Sequence, residues 1–195
     1  MLNVVFVMVD GQEDFARMAL GDEAGESAIK VAGEVAKFAA EHDARDIIYT
    51  MDTHGENYLD TQEGKNLPVI HCVPGTKGFE LCHEIMADAG VRPDQCRIVQ
   101  KVTFGSETLM LCKDVFTDAD LVVMCGLRTD ICVVSNYSII KAIAPETPIV
   151  VVEDACAGVT SELHEAALMV MKSCQARVMK WADLKQELEA KYIEA

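Results

Sequence analysis

Residues 120–144 read DLVVMCGLRTDICVVSNYSIIKAIA. The segment opens on a short apolar run, 120–126, that predicts a buried strand ending at Gly126. It continues as a helix predicted over 130–144, stopped at Pro145, which lacks the N–H a helix needs. Cys132 stands at the seam between the two. The plain reading of that cysteine is a small core filler. The alternative is a nucleophile held at the start of a helix, where the backbone partial charge favours thiolate.

The same alternation extends in both directions. Apolar, β-branched runs predict strands at 3–9, 45–51, 96–102, 120–126, 147–155 and 176–181. Helices are predicted at 26–41, 78–90, 106–116, 130–144, 160–174 and 182–193, the fifth capped by Thr160 or Ser161. Six short strands alternating with helices predict an α/β fold. The expected form is one domain over residues 1–195, three αβα layers around a six-stranded, mostly parallel sheet. The longest irregular stretch, 52–77, follows the second strand, and a loop of that length in a compact domain is usually functional.

The chain has 195 residues with 17 Lys and Arg against 32 Asp and Glu, a formal charge of -15. Phosphate binding needs clustered cations, so nucleic acid and anionic membranes are not expected partners. No run of about 18 apolar residues is present, so no membrane span is predicted. The opening MLNVVFVMVD reads as a first strand, not as a secretion signal, because it lacks a basic start and meets Asp10 early. Eight cysteines occur without a C-x-x-C pair, which suits a reducing, cytoplasmic compartment.

Side chains able to do chemistry gather at predicted strand ends. Asp10 ends the first strand, Lys101 ends the third and Cys132 follows the fourth. In a parallel sheet these ends share one edge, so residues far apart in sequence can converge. A carboxylate beside such a cysteine can accept the thiol proton and later pass it to a leaving amine. A second set, Asp52 and His54 in TMDTHG together with His71, offers one carboxylate and two imidazoles. That set suits zinc, iron or manganese with positions left open, although loop histidines also make ordinary hydrogen bonds.

These motifs, taken in order, resemble the isochorismatase-like cysteine hydrolases and, within them, the nicotinamidase group. The resemblance rests on VDGQEDF (9–15), DTH (52–54), PVIHCVPGTKGFEL (68–81), KVTFGS (101–106) and GLRTDICVVSN (126–136). It implies the isochorismatase-like hydrolase fold and a catalytic triad of Asp10, Lys101 and Cys132. It implies a divalent metal, zinc foremost, on Asp52, His54 and His71. It also implies a cis peptide at Leu127–Arg128 and an oxyanion hole from the backbone N–H groups of Arg128 and Cys132. Phe15 and Phe104 are expected as apolar walls for a flat substrate ring. The implied activity is hydrolysis of a small amide, nicotinamide first and carbamoyl or ureido amides second, in a homo-oligomer. A non-catalytic binding protein on the same fold is the remaining alternative. Where the best-known nicotinamidases carry an aromatic after the metal Asp, this chain has Thr53. Where a further ligand often follows, it offers Glu56, Tyr58 and Asp60.

Overall fold

The computed structural model describes residues 2–44 and 46–194. The first residue of the predicted second strand, Arg45, lies outside them, as do Met1 and Ala195 at the ends of the expected domain. Six strands form one sheet: β1 (Val4–Val9), β2 (Asp46–Asp52), β3 (Cys96–Lys101), β4 (Leu121–Leu127), β5 (Ile149–Ala157) and β6 (Arg177–Met179). Their order is β3-β2-β1-β4-β5-β6 and every pairing is parallel. The helices are α1 (Glu13–Ala16), α2 (Glu23–Glu41), α3 (Gln62–Asn66), α4 (Lys113–Thr117), α5 (Val134–Ile143), α6 (Ser161–Ser173) and α7 (Trp181–Glu194).

Burial follows from sheet position. β1, β2 and β4 are buried along their whole length, which is why they read as unbroken apolar runs. β3, at one edge, exposes Arg97, Ile98 and Gln100. α2 and α7 cover one face, tied by the rings of Phe38 and Trp181 at 5.5 Å. α4, α5 and α6 follow one another across the other face. Among the described residues no helix is long and apolar enough to cross a membrane.

The chain moves from β1 toward β3 on one side and from β4 toward β6 on the other. The order therefore reverses between β1 and β4, and the C-terminal ends of these two strands flank a crevice where open α/β sheets bind ligands. Asp10 leaves β1 with φ of +46°, a left-handed turn at the strand end. Gly126, with φ of +128°, lies against the Val9 carbonyl, and a Cβ there would collide with it.

Several predicted elements differ in the structure. No α-helix forms over 78–90; short 3₁₀ turns cover 77–79 and 83–85 instead. This stretch is held by the loop after β1: Glu13 N–H donates to Glu80 O at 3.0 Å, and Cys82 N–H donates to Gly11 O at 2.9 Å. Residues 107–112 are likewise a 3₁₀ turn running into α4. The predicted strand 176–181 is cut to three residues, because the Trp181 N–H is taken by the Asp154 carboxylate at 2.8 Å and α7 starts there. α2 begins three residues earlier than predicted, capped by Asp22, whose carboxylate accepts from Gly25 N–H at 2.6 Å. Thr160 caps α6.

Candidate active site

The three strand-end residues meet. Lys101 Nζ lies 2.7 Å from Asp10 Oδ2 and 3.6 Å from Cys132 Sγ, and all three residues are buried. The other Asp10 oxygen, Oδ1, accepts from the Thr50 hydroxyl at 2.6 Å. Thr50, one position before the end of β2's apolar run, thus turns the second carboxylate oxygen toward Lys101. The sequence reading did not single out Thr50, which looks like any inward strand threonine.

Cys132 sits in a wide helical turn over 129–133 rather than in a regular first α-turn. There the Val133 N–H reaches back five residues to Arg128 O at 3.1 Å before α5 begins. The turn is fastened by Asn136, fully buried, whose Nδ2 donates to Cys132 O at 2.8 Å and to Phe104 O at 3.1 Å. The Leu127–Arg128 peptide is cis. The Arg128 guanidinium turns inward and donates to Phe15 O, Leu20 O and Gly158 O, and pairs with Asp22 at 3.1 Å.

Charge at this cluster is balanced differently from the sequence expectation. Burial pushes the Cys132 thiol well up, the Asp10 carboxylate adds to the shift, and the Lys101 ammonium offsets only part of it. Burial also raises the Asp10 carboxyl against the opposing pull of Lys101. Burial would lower Lys101, but Asp10, Cys132 and Asp52 outweigh it and hold the ammonium charged. A neutral thiol therefore faces a carboxylate with enhanced proton affinity.

Asp52, His54 and His71 also converge, and Glu63 joins them. One ligand atom from each of the four lies within 4.8 Å of all the others. His54 Nε2 is 3.0 Å from Asp52 Oδ2 and 3.6 Å from Glu63 Oε1. His71 Nε2 is 3.6 Å from Asp52 Oδ2, and its Nδ1 bonds Val69 O at 2.7 Å, a partner that fixes the ring. The Tyr58 ring packs against both imidazoles, at 4.5 and 5.1 Å. Burial would raise the Asp52 carboxyl, yet the hydrogen bonds of His54 and His71 and the Lys101 charge hold it below the usual range. Two carboxylates and two imidazoles crowded on one point, three of the residues buried and Glu63 half-buried, fit a divalent cation. Glu63 was not among the fourth-ligand candidates. Thr61 caps α3 by accepting from Gly64 N–H at 3.0 Å, and this places Glu63 in its first turn. Glu56, on the turn before, is exposed, and Asp60 is exposed as well.

A cavity of about 780 Å³ opens over both clusters. Phe15, Phe104, Leu20 and Ile131 supply its apolar lining, with Asp52, His71 and Cys132 among its residues. The two aromatic side chains expected as substrate walls both border it. Phe15 is buried edge-on against His71 at 5.4 Å, whereas Phe104 is 44% exposed at the mouth.

The fold that holds these residues is shared with known proteins. No curated protein matches the chain in sequence. Among solved structures it is similar to a nicotinamidase/pyrazinamidase from Bacillus subtilis, with TM-score 0.79 and 21% identity over 92% of this chain and 100% of that one. It is also similar to a pyrazinamidase from Pyrococcus horikoshii in complex with zinc, with TM-score 0.75, 25% identity, and coverage of 92% and 99%. A protein of L. infantum in complex with nicotinate aligns with TM-score 0.74 and 21% identity over 92% and 93%. The isochorismatase domain model matches residues 4–183, which take in every strand and every residue of both clusters. The chain belongs to the isochorismatase family of hydrolases.

Proposed function

We propose that this chain is a cysteine amidohydrolase that cleaves a small amide through a covalent thioester, converting nicotinamide to nicotinate and ammonia. The observation that carries this reading is the contact of one buried ammonium, Lys101, with both Asp10 and Cys132 at the floor of a largely apolar cavity.

Asp10 takes the Cys132 proton as sulfur attacks the amide carbon, which avoids a free thiolate in a site that disfavours one. Lys101 keeps the two in register and stays charged throughout. The developing oxyanion is received by the backbone N–H groups of Arg128 and Cys132. The carbon–nitrogen bond then breaks, and Asp10 returns its proton to the departing ammonia. Asp10 next accepts a proton from water as the water oxygen attacks the thioester carbon; the carbon–sulfur bond then breaks, and that proton goes back to the Cys132 sulfur. Phe15 and Phe104 sandwich the ring of the substrate. Asp52, His54, His71 and Glu63 would hold a divalent cation, zinc in this reading, which supplies Lewis-acid chemistry beside the reacting carbon.

Residues 1–195 act as one catalytic domain in this reading. Eight unpaired thiols favour a reducing, cytoplasmic setting. Exposed apolar side chains such as Val102 and Leu111 favour a homo-oligomer, for which light scattering is the check.

The test is ammonia release from nicotinamide by purified protein, with Cys132→Ala as control and metal analysis of the same sample. Release that vanishes in the variant, together with an acyl adduct on the Cys132 peptide in brief incubations, supports the assignment. An adduct on another cysteine with turnover intact would sink it. Adduct formation with carbamoyl or ureido amides, but none with nicotinamide, would keep the mechanism and replace the substrate.

A further inference from the structure

We propose that Gln12 and Asp14 are positioning residues for the ion held by Asp52, His54, Glu63 and His71, so that the segment bearing the base Asp10 also aligns the metal ligands. The proposal rests on the metal reading of that cluster.

The β1–β2 ladder pairs Val9 with Thr50 and then stops, because the chain turns away at Asp10. Two residues further along β2, Asp52 has no strand partner on the β1 side. The Gln12 carboxamide takes that place. Its Oε1 accepts from Asp52 N–H at 2.7 Å and its Nε2 donates to Asp52 O at 2.9 Å, as a neighbouring peptide unit would. Nε2 also donates to Phe79 O at 3.0 Å, and the side chain is fully buried. On its other side Asp52 is paired with Lys101 of β3. The backbone of this ligand is thus gripped from both sides, and one grip is a side chain.

Asp14 does the same for the other ligand loop. Its Oδ2 accepts from Cys72 N–H at 2.7 Å and its Oδ1 accepts from Ala19 N–H at 3.2 Å. Cys72 follows His71 directly and has φ of +49°, a left-handed conformation that a side-chain-bearing residue keeps only when its surroundings enforce it. The Cys72 carbonyl in turn accepts from His54 N–H at 3.1 Å. One carboxylate thereby fixes Cys72, the residue that follows His71 and whose carbonyl holds His54. Gly78 leaves room for it, since a Cβ at that position would overlap the Asp14 carboxylate. Neither Gln12 nor Asp14 belongs to the four-residue ligand set or to the Asp10–Lys101–Cys132 cluster. Outer groups of this kind set ligand geometry, and losing one costs about 10–100-fold in metal affinity.

The experiment is a competition titration of zinc against a chromophoric chelator on the full chain, with wild type, Gln12→Met and Asp14→Asn. Iodoacetamide labelling of Cys132 and urea denaturation are measured on the same proteins in chelator. The expected result is a 10–100-fold loss of zinc affinity in Gln12→Met and a smaller loss in Asp14→Asn, which keeps one acceptor. Labelling rates in chelator stay within about twofold of wild type. Equal zinc affinity in wild type and both variants would overturn the proposal while leaving the metal reading intact. Labelling and denaturation midpoints that collapse in chelator, in step with affinity, would also overturn it, as general structural damage. A wild-type chain that takes up no zinc removes the metal reading, and the proposal with it. Should Gln12→Met not fold, Asp14→Asn carries the same comparison through Cys72.

Discussion

Lys101 Nζ stands 3.1 Å from Asp52 Oδ1, while the other oxygen of that carboxylate, Oδ2, faces His54 at 3.0 Å. A single carboxylate therefore has one oxygen in each cluster, and Lys101 carries the link onward to Asp10 at 2.7 Å. The ammonium is the cation shared by two buried carboxylates at the sheet edge.

From this follows the consequence of removing it. Lys101→Met keeps much of the side chain's bulk and deletes the charge, which leaves Asp10 and Asp52 buried side by side. Removing one partner of a buried ion pair costs about 3–5 kcal/mol, and urea denaturation in chelator is expected to report a loss in that range. Amide hydrolysis is expected to fall by about 10³-fold, since Asp10 loses the group that orients it toward sulfur. A variant as stable as wild type would show that the pair is solvated in solution.

Glu63 offers a sharper test of the second cluster, because three other acidic or phenolic side chains precede it on the same loop. Glu63→Gln is expected to weaken zinc binding by more than about 100-fold, as the loss of an inner ligand should exceed the cost of an outer one. Glu56→Gln and Asp60→Asn, both exposed, should leave affinity unchanged. Equal zinc affinity in Glu63→Gln and wild type would reduce the ligand set to Asp52, His54 and His71.

The contrast between Glu63 and Lys101 says what the sequence could disclose. Strand ends are legible because β-branched runs mark them, and a parallel sheet sends all their C-termini to one edge. Asp10, Lys101 and Cys132 could be grouped without coordinates on that ground. Glu63 depends on how a loop of 3₁₀ turns and one short helix is wound, and no periodicity records that. The absent helix at 78–90 has the same origin. Its local pattern suits a helix, but Gly11 and Glu80 commit the backbone to tertiary hydrogen bonds that outweigh propensity. The roles of Thr50, Gln12 and Asn136 went unread for a related reason: each acts through one buried hydrogen-bond geometry that residue type alone does not reveal.

Buried thiols away from the Asp10–Lys101–Cys132 cluster, Cys82 and Cys156 among them, set an alkaline limit on stability. Burial pushes Cys82 and Cys156 each up to about 12 from 9.0. A thiol that holds its proton more tightly folded than unfolded stabilises the fold fully below the unfolded value. That contribution is lost as pH rises from about 9 toward 12, because the unfolded chain ionises first. The urea midpoint is therefore expected to decline across that window, and Cys156→Ala should make the decline shallower. An unchanged slope in the variant would assign the alkaline loss to other groups.

Arg128 gives the last test, because its backbone and side chain serve different ends. In the proposed mechanism its N–H receives the oxyanion, while its guanidinium is buried and holds Phe15 O at 2.9 Å, Leu20 O at 2.6 Å and Gly158 O at 3.2 Å. These carbonyls belong to α1, to the loop after it and to the loop after β5, and no water reaches a group this enclosed at low cost. Arg128→Met retains the backbone N–H and leaves the carbonyls without their donor, at about 1–3 kcal/mol for each that stays dry. Urea denaturation is expected to show a loss of about 3 kcal/mol. Catalytically, KM should rise more than kcat falls, since Phe15 and Leu20 line the cavity while the oxyanion donor is a main-chain group. Arg128→Lys should recover less than half of the stability, because a single ammonium cannot reproduce the planar fork that meets three carbonyls. A drop in kcat with KM unchanged would instead mean that the guanidinium fixes the oxyanion turn itself.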